Sequence, residues 1–225
     1  MPTYVSGLDL GQSQDFSALV VVEQDRIPDP DRAGVMANRF DVRHVHRWPL
    51  GTSYPAVIAD LMEWFAVGTL AGSTLVVDAT GVGRPVVDMI RDANLPADLT
   101  PFNITAGFRE GDGTVPKKDL VAAIQAALQT RRLRFAEALP LRPVLERELE
   151  TFRVKVTADR NETFSAWREK DHDDLVLALA LAVWWGERYG GGGGAYQIPV
   201  GPPLLPGYMG TMGGATGWGR EPTRR

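Results

Sequence analysis

Residues Leu175 to Trp185 are eleven consecutive apolar positions, and no other feature limits the fold so tightly. A bilayer span needs roughly 20 such residues, so the run reads as a buried core helix. A helix with no polar face must be covered on every side. Its first turn is therefore expected to abut a sheet. That turn follows Asp171-His172-Asp173-Asp174, where acidic side chains also favour the helix dipole. Two adjacent acids exceed what capping needs, so one is a candidate ligand and the other a cap.

Two further carboxylates end apolar strands. Asp9 closes Tyr4-Val5-Ser6-Gly7-Leu8, and Asp78 closes Ser73-Thr74-Leu75-Val76-Val77. Carboxylates at the ends of buried elements are costly unless something neutralises them. A shared hard cation such as Mg²⁺, which takes oxygen ligands, is the natural neutraliser. Metal-assisted phosphodiester hydrolysis is the chemistry that follows. The plainer alternatives are a turn cap at Asp9 and a helix N-cap at Asp78 or Thr80. Asp9-Leu10-Gly11-Gln12-Ser13 also resembles the phosphate turn of sugar kinases and actin-like ATPases. That fold needs a second lobe with a repeated phosphate turn, and the chain shows none. It also has no G-x-x-x-x-G-K-[ST], which excludes a P-loop site.

The chain has 225 residues, 44% of them hydrophobic, enough for one sizeable domain. Its net charge of −4 and its lack of cysteine exclude a polycation, disulfides and thiolate metal sites. No targeting segment is read at the N-terminus. Strands are expected at 4–9, 17–24 and 40–48, forming an antiparallel meander. Val42, His44 and His46 are expected on one face of the third strand, with Arg43, Val45 and Arg47 on the other. A helix at 54–67 follows, with Ser53 as N-cap and Pro55 early in it. Then come a buried strand at 74–78, a helix at 85–93 and a strand at 99–105. A Gly-rich loop at 107–116 precedes helices at 117–129 and 145–152. Val154-Lys155-Val156 and Thr163–Trp167 bracket a turn and are expected to pair as a hairpin. The last helix is expected at 173–188. Residues 1–189 read as one domain. Residues 190–225, opening with five glycines, read as a disordered tail or docking arm.

Three segments taken together carry a resemblance: Gly7-Leu8-Asp9-Leu10-Gly11-Gln12-Ser13-Gln14-Asp15, Val76-Val77-Asp78-Ala79-Thr80-Gly81-Val82-Gly83, and His172-Asp173-Asp174-Leu175-Val176-Leu177-Ala178-Leu179-Ala180. The chain resembles the nuclease domain of phage large terminase subunits over roughly residues 4–188. The resemblance implies an RNase H-like α/β fold, a mixed five-stranded sheet flanked by helices. It implies an endonuclease that cuts concatemeric DNA during genome packaging, with two Mg²⁺ or Mn²⁺ ions held by Asp9, Asp78 and the Asp173/Asp174 pair. Asp15 matches an accessory acid of some members. Such subunits normally carry an ATPase motor ahead of the nuclease, and this sequence contains no Walker motif. Either the chain is a solitary nuclease subunit or it is a fragment of a larger terminase; as it stands, packaging is expected to need an ATPase in trans, alongside a small terminase subunit or portal, in the cytoplasm of a host or prophage carrier.

Lys117, Lys118, Arg153, Lys155, Arg160 and Arg168 are candidate contacts to the phosphates of double-stranded DNA, which carry no sequence information. Each has the alternative of a solvated surface charge. Arg131-Arg132-Leu133-Arg134 is a further basic cluster that can simply end its helix. His172 is a candidate for orienting a water. His44 and His46 share a strand face, with edge-strand polarity preferred over a metal pair. The competing readings are a Holliday-junction resolvase or transposase-like nuclease of the same superfamily, and a non-catalytic packaging adaptor.

Overall fold

The computed structural model describes residues 3–11, 15–66, 68–80, 83–105, 113–158 and 173–190. The expected tail at 191–225 and His172 lie outside them. β1 (Thr3–Asp9), β2 (Ala18–Pro28) and β3 (Met36–Arg47) pair antiparallel in the expected meander. After α1 (Tyr54–Phe65), the chain returns to lay β4 (Thr74–Asp78) parallel beside β1. After α2 (Gly83–Asp92), β5 (Asp98–Thr105) lies parallel to β4. A central strand covered on both faces must be apolar throughout, and Leu75, Val76 and Val77 are fully buried. Ser53 does stand at the N-cap of α1, with Pro55 in its first turn, but caps through its backbone: its carbonyl accepts from the Ala56 and Val57 N–H groups.

The five expected strands are all present, and two three-residue strands widen the sheet. β6 (Thr114–Pro116) lies beyond β5 and β7 (Leu133–Phe135) beyond β3, giving the order β6-β5-β4-β1-β2-β3-β7. Segments this short carry no alternation, so Thr114–Pro116 reads as loop and Leu133–Phe135 as part of a basic cluster. The cluster does more than end a helix. Arg132 is buried, donates to the Asn38 carbonyl at 2.7 Å and pairs with buried Glu187.

Three more helices follow: α3 (Lys117–Gln129), α4 (Arg142–Ala158) and α5 (Asp174–Tyr189). The expected strand Val154-Lys155-Val156 is instead the last part of α4. Leu145, Leu149, Phe152 and Val156 continue one helical spacing, which outweighs a three-residue alternation. The second half of that expected hairpin, Thr163–Trp167, falls outside the described residues. α1 and α2 cover one face of the sheet with Leu8, Leu19, Val21 and Leu75. α3, α4 and α5 cover the other with Val5, Val20, Val22 and Val76. Among the described residues no helix is long and apolar enough to cross a membrane.

α5 lies against the sheet at backbone distance. A Cβ added to Gly7 would stand 1.8 Å from the Ala178 carbonyl oxygen. Farther along, Gln24 donates to the carbonyls of Gly186 and Gly190 at 3.1 and 2.7 Å, and Gln24 is level with Thr3. α5 therefore runs antiparallel to β1, and its start lies toward Asp9.

A β-bulge in β3 changes which side chains reach α5. Val21 pairs with His44 and Val22 with Val42, so Arg43 has no opposite residue. A one-residue slip moves every later side chain to the other face. Val42, Val45 and the following Arg47 thus share the α5 face, while His44 and His46 turn toward α1, against the expected grouping of Val42 with the histidines.

Replacing Gly7 with Ala forces the α5 backbone off the sheet. The expected loss is at least the ~1–3 kcal/mol typical of overpacking, read as a lower Tm in thermal unfolding followed by circular dichroism. An unchanged Tm would show that α5 does not dock at this distance.

Candidate active site

Parallel pairing sets Asp9 opposite Asp78. The same register carries the row sideways, from Phe102 through Asp78, Asp9 and Ala18 to Arg47. Directly opposed residues share a face, and Phe102 and Ala18 belong to the core beneath α3, α4 and α5. Asp9 and Asp78 are thus neighbours on adjacent strands, aimed toward α5. Asp78 is buried and Asp9 half-buried.

The start of α5 reaches the same level. Asp173 is five residues before Ala178, about 7.5 Å along a helix axis. Asp9 is two residues beyond Gly7, about 6.7 Å along a strand. Since Ala178 sits on Gly7, the two offsets bring Asp173 to the level of the Asp9–Asp78 row along the strand direction. Asp173 is the N-cap residue and makes no side-chain capping hydrogen bond. The positive end of the α5 dipole faces the carboxylate row, which lowers the cost of gathering negative charge there.

Asp78 is held by a local turn. Its Oδ1 accepts the Thr80 backbone N–H at 2.8 Å and the Thr80 hydroxyl, whose oxygen in turn accepts the Ile104 N–H at 2.7 Å. This is a local turn and not the helix N-cap weighed for Asp78 or Thr80, since α2 begins at Gly83, and it sets the direction of the carboxylate.

Asp174 is tied to Arg47. Its Oδ2 accepts from Arg47 Nε at 2.7 Å, and Arg47 Nη2 donates to Glu148 Oε1. Burial, reinforced by the nearby Asp174 charge, raises the Glu148 carboxyl to about 7, against the opposing pull of Arg47. Neither Arg47 nor Glu148 stands out as a functional residue in the sequence. A signal for Glu148 exists: it shares the inward stripe of α4 with Leu145 and Leu149, where an apolar residue is the norm. Arg47 has no such signal, because its facing depends on the bulge.

The remaining candidates are spread more widely. Asp15 is exposed in the β1–β2 connection. Lys117 and Lys118 open α3 directly after β6, at the same end of the sheet as Asp78 and two strands away. Arg153 and Lys155 lie within α4, and Arg160 and Arg168 are outside the described residues. His44 and His46 stack at 6.3 Å and pack edge-on against Trp64, with burial lowering both imidazoles. They are on the face opposite the carboxylate row.

The donors at the row are all carboxylate oxygens, the set a hard divalent cation prefers. Among the described residues, however, no three His, Cys, Asp or Glu side chains stand close enough to form a cage around an ion. The arrangement is an open row with a third acid at its level.

A mixed sheet with a three-strand antiparallel meander, parallel additions beside β1 and acids at the ends of β1, β4 and the start of α5 defines an RNase H-like domain. The family model for the terminase RNaseH-like domain matches residues 6–184, and this chain belongs to that family. The structure is similar to the large terminase nuclease from thermophilic phage G20c, at 20% identity, with 80% of this chain and 81% of that one covered and a TM-score of 0.50. Similar too are the P22 large terminase nuclease domain, at 16% identity, 80% and 79% coverage and a TM-score of 0.46, and the human cytomegalovirus terminase nuclease domain, soaked with manganese, at 10%, 82% and 83%, and 0.45. No curated protein matches the sequence.

The raised Glu148 carboxyl has a consequence for stability. Between its ordinary value of 4.5 and about 7 the folded chain holds a proton that the unfolded chain has released. That contribution is complete below pH 4.5 and is lost as pH rises through 7. Glu148→Gln removes it, so Tm should fall less steeply between pH 4.5 and 7 than in the wild type; parallel Tm–pH curves would refute the shift.

Proposed function

We propose that this chain is the nuclease of a DNA-packaging terminase, a divalent-metal-dependent endodeoxyribonuclease that hydrolyses phosphodiester bonds in double-stranded DNA. The observation that carries the reading is the in-register pair Asp9 and Asp78 on the face toward the start of α5. Asp9, Asp78 and one of the Asp173/Asp174 pair would hold the ions. Of that pair we assign Asp173 as the ligand, because Asp174 is engaged by Arg47. Asp15 would act as an accessory acid from the β1–β2 connection.

When bound, Mg²⁺ or Mn²⁺ supplies a lowered water pKa and stabilises the leaving oxygen. The chain's own residues supply the rest. Thr80 holds the Asp78 carboxylate in one direction, so little ordering remains to be done on ligand binding. The open row leaves room for water and phosphate oxygens, which Mg²⁺ retains alongside one or two carboxylates. Lys117 and Lys118 at the same end of the sheet suit contacts to the DNA backbone, as do Arg153, Lys155, Arg160 and Arg168 if they line the same groove. Such contacts position the duplex without reading its sequence. Cleavage with little sequence preference is therefore expected. ATP-driven translocation would come from a packaging ATPase motor, with a small terminase subunit or portal as further partners.

Purified chain with supercoiled plasmid and Mn²⁺ should produce nicked and linear DNA, and Asp9→Asn or Asp78→Asn should reduce this to background while leaving the fold intact by circular dichroism. A wild-type chain that cuts nothing with either Mg²⁺ or Mn²⁺, and whose Tm neither ion raises, would overturn the reading.

A further inference from the structure

Arg47 belongs to none of the motifs that point to the carboxylate row, yet three elements meet on its side chain. Its Nε donates to Asp174 in the first turn of α5 at 2.7 Å, and its Nη2 donates to Glu148 on α4. Its guanidinium carbon sits 4.9 Å from the centroid of the Phe16 ring. Glu148 closes the loop, because its other oxygen accepts the Val176 N–H of α5 at 3.4 Å. The Arg47 side chain is 15% exposed, and those of Asp174 and Glu148 are 6% and 9% exposed. Charge pairs this sheltered from water hold one geometry far better than exposed ones.

The place of this clasp matters more than its strength. Arg47 is level with Ala18, and Ala18 with Asp9, so the clasp ties the first turn of α5 to the same row of the sheet that holds Asp9 and Asp78. Asp174 is the residue after Asp173. Whatever fixes the rotation of that turn therefore fixes where the Asp173 carboxylate points.

We propose that Arg47 is a positioning residue for the metal centre: by gripping Asp174 and Glu148 it holds the start of α5 so that Asp173 faces Asp9 and Asp78. The inference rests on the metal-dependent nuclease reading given above. A planar guanidinium can serve two carboxylates at once in fixed directions, whereas an ammonium of the same charge cannot. Arg47→Lys therefore keeps the charge and loses the fork. Asp174→Asn keeps the shape and loses the charged tether. Groups that orient metal ligands typically change metal affinity by about 10–100-fold when replaced.

The test is Mn²⁺ binding to the whole chain by calorimetry, with plasmid cleavage against Mn²⁺ concentration alongside. Arg47→Lys and Asp174→Asn should each weaken Mn²⁺ binding by about 10-fold or more and raise the half-saturating Mn²⁺ for cleavage to match, with the maximal rate largely recovered at high Mn²⁺. Asp173→Asn should lose cleavage at every Mn²⁺ concentration. A purely structural role would lower Tm and leave Mn²⁺ affinity alone, and that result overturns the proposal. So does an Asp174→Asn chain as inactive as Asp173→Asn, because Asp174 would then be a ligand itself. If Arg47→Lys does not fold, the isosteric Asp174→Asn decides by the same criteria. A wild type that binds no Mn²⁺ overturns the nuclease reading and the positioning role together. A wild type that binds and cuts, with both variants unchanged, overturns the positioning role alone.

Discussion

The contact between Gly7 and Ala178 decides where everything else can lie. Because residue 7 has no side chain, the α5 backbone rests on β1 at a distance that any Cβ would forbid. An eleven-residue apolar run needs cover on all sides, and this approach supplies it from below, while α3 and α4 supply it from the flanks. The same contact sets the axial position of α5. Its first turn ends up level with Asp9 and not one turn higher or lower, and a helical turn is about 5.4 Å, enough to separate an acid from its partners.

Two kinds of neutralisation operate at this end of the sheet. Asp174 and Glu148 share one arginine, an arrangement that leaves a surplus negative charge if both acids are ionised, and burial answers by raising Glu148 to about 7. The start of α5 turns the positive end of its dipole toward the level of Asp9 and Asp78, and Thr80 donates to Asp78. The distant Arg132–Glu187 pair makes a useful contrast. It is sealed in the core between β3, β7 and α5, where breaking a buried pair costs roughly 3–5 kcal/mol, and it serves to anchor the end of α5 opposite the carboxylate row.

Much of this was legible from residue order. The meander, the central strand ending in Asp78 and the two amphipathic helices 54–65 and 117–129 follow from periodicity, and the all-apolar run announces α5. The short edge strands β6 and β7 are not legible because three residues cannot display a period, and the burial of Arg132 is not legible because nothing in Arg131-Arg132-Leu133-Arg134 marks which arginine is buried. Val154–Val156 carries the alternation of a strand, but the longer helical spacing through Leu145, Leu149 and Phe152 takes it into α4.

Sequence alone determined which carboxylates terminate apolar elements, since burying such groups at random is too costly for a chain to tolerate without a purpose or a partner. The family resemblance added the chemistry those acids would serve. Tertiary structure alone decided that Asp9 and Asp78 stand side by side, because strand register is a property of pairing and not of either strand. It alone separated Asp173 from Asp174, which are indistinguishable as letters, through the reach of Arg47. And it alone turned Arg47 toward them, because one unpaired residue in β3 reverses the facing of every side chain that follows.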